Sequence, residues 1–134
     1  MAQVFQQDSQ MLAAPVTIVT TAETTALSTN AVKAPFENAK MTVRFSALVT
    51  TGTGVTGVQV RVRRNAAAEN VVLNPAVQTI GAAASATIAV SGEFTDGVPD
   101  GRDSVYSLTV QQVGATGNGT ILAGSQIAAQ VLSG

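Results

Sequence analysis

Side chains from residue 40 to residue 64 alternate between apolar and polar in two runs, which a glycine-rich stretch at residues 51–57 separates. Successive side chains of a β-strand point to opposite faces, so each run predicts a strand with one buried face and one exposed face. The glycines between the runs predict the turn of a β-hairpin. The side chains predicted to point inward are Met41, Val43, Phe45, Ala47 and Val49 in the first strand and Val58, Val60 and Val62 in the second.

Four of the seven basic residues of the chain lie in these two runs, namely Arg44, Arg61, Arg63 and Arg64. The alternation places at least three of them, Arg44, Arg61 and Arg63, on the outer face of the predicted hairpin. An arginine guanidinium can bind a carboxylate through two hydrogen bonds, so this face is a candidate binding surface for acidic side chains of a partner. The alternative is an ordinary solvated sheet face.

The rest of the chain also reads as short strands separated by Gly, Pro, Asn and Asp. A β-branched run follows Pro15, and shorter candidates lie at residues 25–28 and 70–74. The alanines at residues 82–86 are compatible with a helix, but the alternation after them and the glycines on both sides favour a strand. At 134 residues the chain fits one domain, and we predict an all-β, single-domain antiparallel β-sandwich or jelly roll of seven to eight strands over residues 15–134.

The last strand candidate, at residues 120–132, has apolar side chains in two overlapping phases. These are Ile121, Ala123, Ile127, Ala129 and Val131 in one phase and Leu122, Ala128 and Leu132 in the other. A strand that is apolar on both faces is predicted to be covered on both faces. Because only 11% of the residues are charged, a lone monomer would be poorly solvated, and we predict that the chain forms a homo-oligomer.

The chain has no cysteine and no histidine, and its net charge is −1. These counts exclude disulfides, the usual zinc sites, thiol nucleophiles and imidazole bases, so we predict no enzymatic activity and no cofactor. A chain without excess positive charge lacks the electrostatic character of a nucleic-acid-binding protein. The sequence has no apolar run of about 18 residues and no signal-peptide pattern, so no membrane association is predicted.

Residues 96–103 hold three aspartates, Asp96, Asp100 and Asp103, among turn-forming residues. Clustered carboxylates on a flexible loop are ligands that Ca²⁺ prefers. The spacing is not that of an EF-hand, however, and Asp-Gly and Pro-Asp-Gly are common β-turn sequences. We therefore predict a structural loop without a metal ion.

Residues 1–14 show no sustained period and mix glutamines with a few apolar side chains. We predict an extended N-terminal arm, separate from the sandwich, that becomes ordered on a neighbouring subunit or on another protein. Its apolar anchors are Val4, Phe5, Met11 and Leu12, which join Arg44, Arg61 and Arg63 as candidate partner-binding residues. The alternative is a frayed terminus.

Residues 103–110 read Asp-Ser-Val-Tyr-Ser-Leu-Thr-Val, in a small chain that lacks Cys and His and has strands rich in Thr, Val, Ala and Gly. Over residues 15–132 the sequence resembles the small β-sandwich head decoration (cement) proteins of tailed bacteriophages. The resemblance implies a homotrimer on the outside of a capsid, which binds the major capsid protein through an N-terminal arm and stabilises the shell. It also implies localisation on the capsid surface of the virion, after synthesis in the host cytoplasm.

Two alternatives share this fold class. A structural subunit of a phage tail, fibre or baseplate needs self-association and no catalysis, as a decoration protein does. A carbohydrate-binding or adhesin module is the second alternative, although sugar sites usually present exposed aromatic side chains. The aromatic residues here are few and mostly lie at positions predicted to face the core, namely Phe5, Phe36, Phe45, Phe94 and Tyr106.

Overall fold

The computed structural model of the chain describes residues 4–33, 40–66, 69–73, 78–97 and 103–132. Within these ranges the chain forms thirteen strands and no helix, which confirms the predicted all-β class. The described residues accordingly contain no helix that is long and apolar enough to cross a membrane. Seven strands have five or more residues. The strands are β1 (Val4–Met11), β2 (Val16–Ile18), β3 (Thr24–Ser28), β4 (Val32–Lys33), β5 (Lys40–Thr50), β6 (Gly57–Arg64), β7 (Val71–Val72), β8 (Gln78–Gly81), β9 (Thr87–Gly97), β10 (Asp103–Ser104), β11 (Tyr106–Val113), β12 (Gly119–Ile121) and β13 (Gln126–Leu132).

The described strands pair in antiparallel fashion and form two main sheets. In the larger sheet β5 lies between β9 on one side and β12 and β13 on the other. On their sides away from β5, β13 pairs with β1 and β12 pairs with β2. In the smaller sheet the order is β3, β11, β6, and both β7 and β8 pair with the far side of β6. The short strands β4 and β10 pair with each other.

The two sheets pack face to face around one apolar core. The eight side chains that the alternation predicts to point inward are all buried, and full burial of such a side chain stabilises the fold by about 1.5–3 kcal/mol. The arrangement is therefore an antiparallel β-sandwich, as predicted. Its core contains Ile18, Met41, Val43, Phe45, Ala47, Val49, Val90, Phe94, Ile121, Ile127, Ala129 and Val131 from the larger sheet and Val58, Val60, Val62, Tyr106, Leu108 and Val110 from the smaller one.

The prediction that the two alternating runs form a hairpin is wrong, because β5 and β6 lie in opposite sheets. β5 pairs with β9 over eleven positions, and β6 pairs with β11 over eight. The connecting residues 51–56 cross from one sheet to the other, and Gly52 and Val55 are buried on the way. Both runs have an apolar face because both cover the same core. The alternation shows which face is buried, but it does not show which strand is the hydrogen-bonding neighbour.

The segment predicted to form an arm outside the sandwich contains β1, an edge strand of the larger sheet. β1 pairs with β13 at seven positions, from Val4 opposite Leu132 to Met11 opposite Gln126. The backbone of β13 thus supplies, within the same chain, the hydrogen bonds that the prediction assigned to a neighbouring protein. The predicted domain boundary at residue 14 is corrected accordingly.

Residues 120–132 belong to two strands, because a turn at residues 122–125 separates β12 from β13. The inward phase is the same in both strands, since Ile121 of β12 is buried like the inward residues of β13, whereas Leu122 of the other phase lies in the turn and Ala128 lies on the outer face. In β13 the inward side chains are Ile127, Ala129 and Val131, and the described outward ones are Gln126, Ala128 and Gln130. The prediction of one strand with two apolar faces is therefore wrong, and the described outer face of β13 is mainly polar.

Candidate functional site on the outer face of the larger sheet

The four arginines of the central stretch do not form one surface. Arg44 lies on the outer face of the larger sheet, with its side chain 64% exposed. Arg61 and Arg63 lie on the outer face of the smaller sheet, to which β6 belongs. Arg64 has the phase of Val62, so its side chain points inward. The predicted arginine face is divided between the two opposite outer surfaces of the sandwich.

Arg61 and Arg63 bind a carboxylate of the same chain, that of Glu23. Arg63 Nε and Nη2 donate to its two oxygens at 2.6 and 2.9 Å, and Arg61 Nη1 donates to Oε1 at 2.9 Å. The hydrogen bond from Arg63 lowers the pKa of Glu23 against the opposing effect of burial, and the positive charges of Arg63 and Arg61 lower it further. Arg61 also donates to Gln111 and Gln59 at 2.7 Å. The bidentate carboxylate binding that was predicted for a partner therefore occurs here within the chain.

Replacing Glu23 by glutamine should make the free energy of unfolding less dependent on pH. A pKa that is lowered by folding means that the carboxylate stabilises the fold above its ordinary pKa of 4.5, and that this contribution is lost as the pH falls through the folded-state value. At about pH 7 we expect Glu23→Gln to be less stable than the natural chain by about 1 kcal/mol, because the ion pairs are partly exposed.

Urea denaturation at about pH 7 and about pH 3 measures this difference, which we expect to shrink at the lower pH because the stabilisation by the ionised carboxylate decreases below its ordinary pKa. Glu93→Gln, which changes a more exposed ion pair in the larger sheet, is the matched control. An equal loss for Glu23→Gln at both pH values would contradict a role for the ionised carboxylate.

Asp96 of the predicted acidic loop is buried and ion-paired. Arg64 Nη1 donates to both of its oxygens at 2.7 Å, and the Tyr106 hydroxyl donates to Oδ2 at 2.9 Å. This buried cluster joins the two sheets at one end of the core, since Asp96 belongs to β9 and its partners belong to β6 and β11. Burial and the neighbouring negative charge raise the pKa of Tyr106, so the hydroxyl keeps its proton and remains a donor.

The middle of the acidic loop, residues 98–102 with Asp100, lies outside the described residues. Asp103 lies in β10, opposite Lys33 of β4. Among the residues that the structure describes, no three His, Cys, Asp or Glu side chains lie close enough together to hold a metal ion. The absence of an ion from this loop stays a prediction.

The outer face of the larger sheet carries mostly polar side chains in cross-strand rows. Residues directly opposite each other in an antiparallel pair have their side chains on the same face, with Cβ atoms about 4.5–5.5 Å apart. The registers of β1, β13, β5 and β9 therefore define neighbours across four strands. In that order the rows are Gln7, Gln130, Thr42 and Thr95; Ser9, Ala128, Arg44 and Glu93; and Met11, Gln126, Ser46 and Ser91.

A depression of about 340 Å³ lies in this outer face, where β13 runs between β1 and β5. Ala128 lies in the middle row, and its methyl group leaves space between the longer side chains of the neighbouring strands. Arg44 Nε lies 2.8 Å from Glu93 Oε2, on the side away from β13. The residues that line the depression are Gln7, Asp8, Ser9, Thr42, Arg44, Ala128, Ala129 and Gln130.

The predicted partner-binding residues differ in their positions. Met11 lies on the same outer face and is 64% exposed. Leu12 is half-buried against the core, and its backbone N–H is hydrogen-bonded next to the start of β13. Val4 and Phe5 lie in β1, but their side chains fall outside the described part of the chain. Of the three predicted arginines, Arg44 borders the depression.

Seven of the lining residues were not among the predicted binding residues, namely Gln7, Asp8, Ser9, Thr42, Ala128, Ala129 and Gln130. One signal was available, because the alternation of β5 places Thr42 on the same face as Arg44. The remaining residues come from β1 and β13, which are more than a hundred residues apart in the sequence. Nothing in the alternation of either strand indicates that the two are neighbours.

No protein-family model matches the sequence, and no curated protein matches it. Solved structures match the fold at low sequence identity. The Eiger TNF protein from S. frugiperda is 9% identical with a TM-score of 0.63, and the match covers 98% of this chain and 94% of that protein. Latent PorU from Porphyromonas gingivalis is 9% identical with a TM-score of 0.59, and the match covers 98% of this chain and 13% of that one.

A viral capsid protein has the same fold. VP2 of infectious bursal disease virus, in a subviral particle, is 8% identical with a TM-score of 0.61, and the match covers 96% of this chain. The chain spans about a third of the length of VP2, since the match covers 32% of it. These similarities define the class of the protein as a jelly-roll β-sandwich.

Proposed function

We propose that the protein is a non-enzymatic structural protein of a virion. The observation that carries the proposal is the jelly-roll fold, which the chain has in common with the capsid protein VP2 over 96% of its length. The sequence resemblance to head decoration proteins of tailed bacteriophages supports a more specific form of it. In that form the protein binds the outside of a phage capsid and stabilises the shell.

The partners in this proposal are other copies of the chain, with a trimer as the expected assembly, and the major capsid protein. The low fraction of charged residues, 11%, supports burial of surface against other proteins. The edge strand β1 supports it as well, because an edge strand presents backbone N–H and C=O groups to which another chain can bind. Met11 adds an apolar side chain that is 64% exposed beside this edge.

Sedimentation equilibrium at micromolar concentration should give about three times the chain mass of 13.5 kDa. Protein added to capsids of the virus that carries its gene should co-sediment with them and saturate. It should also raise the temperature at which they open, since a ligand that binds only the intact shell stabilises it. A monomer that neither binds nor co-purifies with a particle would overturn the proposal. Protein found only in a tail fraction would reassign it to the tail, fibre or baseplate.

A carbohydrate-binding role is the second candidate function. The depression in the outer face of the larger sheet favours it, because hydroxyl, amide and guanidinium groups surround a small concave surface. The two roles are compatible, since a protein on the outside of a particle presents its outer faces to the surroundings.

A further inference from the structure

We infer that the depression around Ala128 is a binding site for a small neutral saccharide of one or two sugar units. The inference rests on the carbohydrate-binding candidate of the proposed function and not on the position of the protein in a virion. The shape of the depression, the hydrogen-bonding groups around it and its charge balance all favour this class.

The shape follows from the register of three strands. Ala128 of β13 lies between Ser9 of β1 and Arg44 of β5, and the next row places Gln130 beside Thr42. A methyl group flanked by longer side chains leaves a concave surface with an apolar floor and polar walls. Its volume of about 340 Å³ is within the range of small-molecule sites, which begins at about 300 Å³.

Four polar side chains at this surface make no hydrogen bond to any other described residue, and these are Gln7, Ser9, Thr42 and Gln130. The two amides and the two hydroxyls can each donate and accept. A sugar hydroxyl also donates and accepts, so a polyhydroxy ligand matches these groups, whereas an apolar ligand would remove them from water without replacing the lost hydrogen bonds.

On the outer face of the smaller sheet several polar side chains are paired within the chain, although the buried Thr109 hydroxyl has no hydrogen-bond partner among the described residues. There the hydroxyl oxygens of Ser28 and Ser107 lie 2.7 Å apart in a hydrogen bond, and Gln111 donates to the Thr21 carbonyl at 2.8 Å. Arg61 and Arg63 are bound to Glu23 on the same face. Polar groups that are satisfied within the chain offer little to a ligand, so we place the site on the larger sheet.

The charge balance favours a neutral ligand over an anion. The charged lining residues are Arg44 and Asp8, and the Glu93 carboxylate lies 2.8 Å from Arg44 Nε. A phosphate or carboxylate ligand would have to approach this carboxylate, and it could only accept hydrogen bonds. Because the site is open to solvent and each hydrogen bond replaces one to water, we expect weak affinity, on the order of 1 mM.

The test is a titration followed by amide resonances in ¹H–¹⁵N spectra of the full chain. The probes are glucose, galactose, mannose, N-acetylglucosamine, lactose and maltose, each added to about 50 mM. We expect at least one of them to shift the resonances of the residues around Ala128 in a saturable manner, with little change elsewhere. Inorganic phosphate at the same ionic strength is the anion probe, and it should not saturate.

Two matched variants separate the site from general effects on the sheet. Ala128→Leu fills the floor of the depression and should weaken binding by at least tenfold. Ala89→Leu makes the same change at an exposed position on the same face, in β9 and outside the depression, and should bind the sugar as the natural chain does. If Ala128→Leu does not fold, Thr42→Val removes a hydroxyl without changing the side-chain volume, and it should weaken binding by about threefold or more.

Three results would each overturn the inference. The first is that no sugar causes a saturable shift of any resonance. The second is that phosphate shifts the same resonances in a saturable manner and binds more tightly than every sugar. The third is that the sugar binds Ala128→Leu and Thr42→Val as tightly as it binds the natural chain. Loss of capsid binding in Ala128→Leu, without sugar binding by the natural chain, would show instead that the depression is a contact with another protein.

Discussion

Replacing Asp96 by alanine is expected to lower the free energy of unfolding by about 3–5 kcal/mol, because it removes the carboxylate that is hydrogen-bonded to the largely buried Arg64 guanidinium. The side chains of Arg64 and Asp96 are 14% and 9% exposed. Arg64 Nη1 would lose both of its hydrogen bonds to Asp96, and the Tyr106 hydroxyl would lose its acceptor. Glu69 remains as an ion-pair partner, with its Oε2 3.6 Å from Arg64 Nε, but at this distance it does not replace the hydrogen bonds that are lost.

Urea denaturation measures this loss, and Glu93→Ala is the matched control. Glu93 lies on the same strand as Asp96 and also pairs with an arginine, but its side chain and that of Arg44 are 55% and 64% exposed. Exposed ion pairs contribute about 0–1 kcal/mol, so the control should change stability by that amount at most. Similar losses in the two variants would contradict the structural role of the buried cluster.

A triple variant tests whether the loss comes from the unpaired charge. Arg64→Met, Asp96→Leu and Tyr106→Phe together replace the cluster by apolar side chains. Replacing a buried ion pair in this way is often neutral or stabilising. The triple variant should therefore be more stable than Asp96→Ala alone. If it is less stable, the packing of these side chains matters more than the buried charge.

Deleting residues 1–12 is the second change with a large expected effect, and we expect the melting temperature to fall by about 10 °C or more. The deletion removes β1, which pairs with β13 at seven positions, and net backbone hydrogen bonds contribute about 0.5–1.5 kcal/mol each. It also removes Asp8, which accepts hydrogen bonds from the Asn30 N–H at 2.8 Å and from the Asn30 amide at 3.3 Å. A change of 1 kcal/mol shifts the melting temperature of a chain of this size by about 2–8 °C.

Met11→Ala is the control for the deletion, because it changes β1 without removing its backbone. The side chain is 64% exposed, so the substitution should shift the melting temperature by no more than a few degrees. A shortened chain that melts within a few degrees of the full chain would contradict the strand assignment and would restore the predicted arm.

Period-two alternation predicted which side chains are buried, and it did so for a physical reason. A strand that covers a core must bury every second side chain, so Met41 or Val60 can be assigned from its own strand alone. Pairing depends on two strands at once. The hairpin prediction was wrong because β5 and β6 satisfy the same alternation from opposite sides of the core.

The same limit applies to the candidate site. Arg44 was identified because its charge and its phase are local properties of β5. Ser9 and Ala128 were missed because their importance comes from lying next to each other, and their own strands carry no signal of that contact. Arg61 and Arg63 were recognised as carboxylate-binding side chains, but the sequence does not show that Glu23 folds over the same sheet face.

The position of β13 between β1 and β5 has a consequence for synthesis of the protein. β1 leaves the ribosome first among the described strands, yet its partner is made more than a hundred residues later. At about 5–20 residues per second, β1 waits for roughly 6–25 s without a strand to pair with. During this time it can meet the β13 of another nascent chain, so exchange of β1 between chains competes with correct folding. The sequence Gln-Gln-Asp-Ser-Gln at residues 6–10 suits a segment that must stay dissolved while it waits.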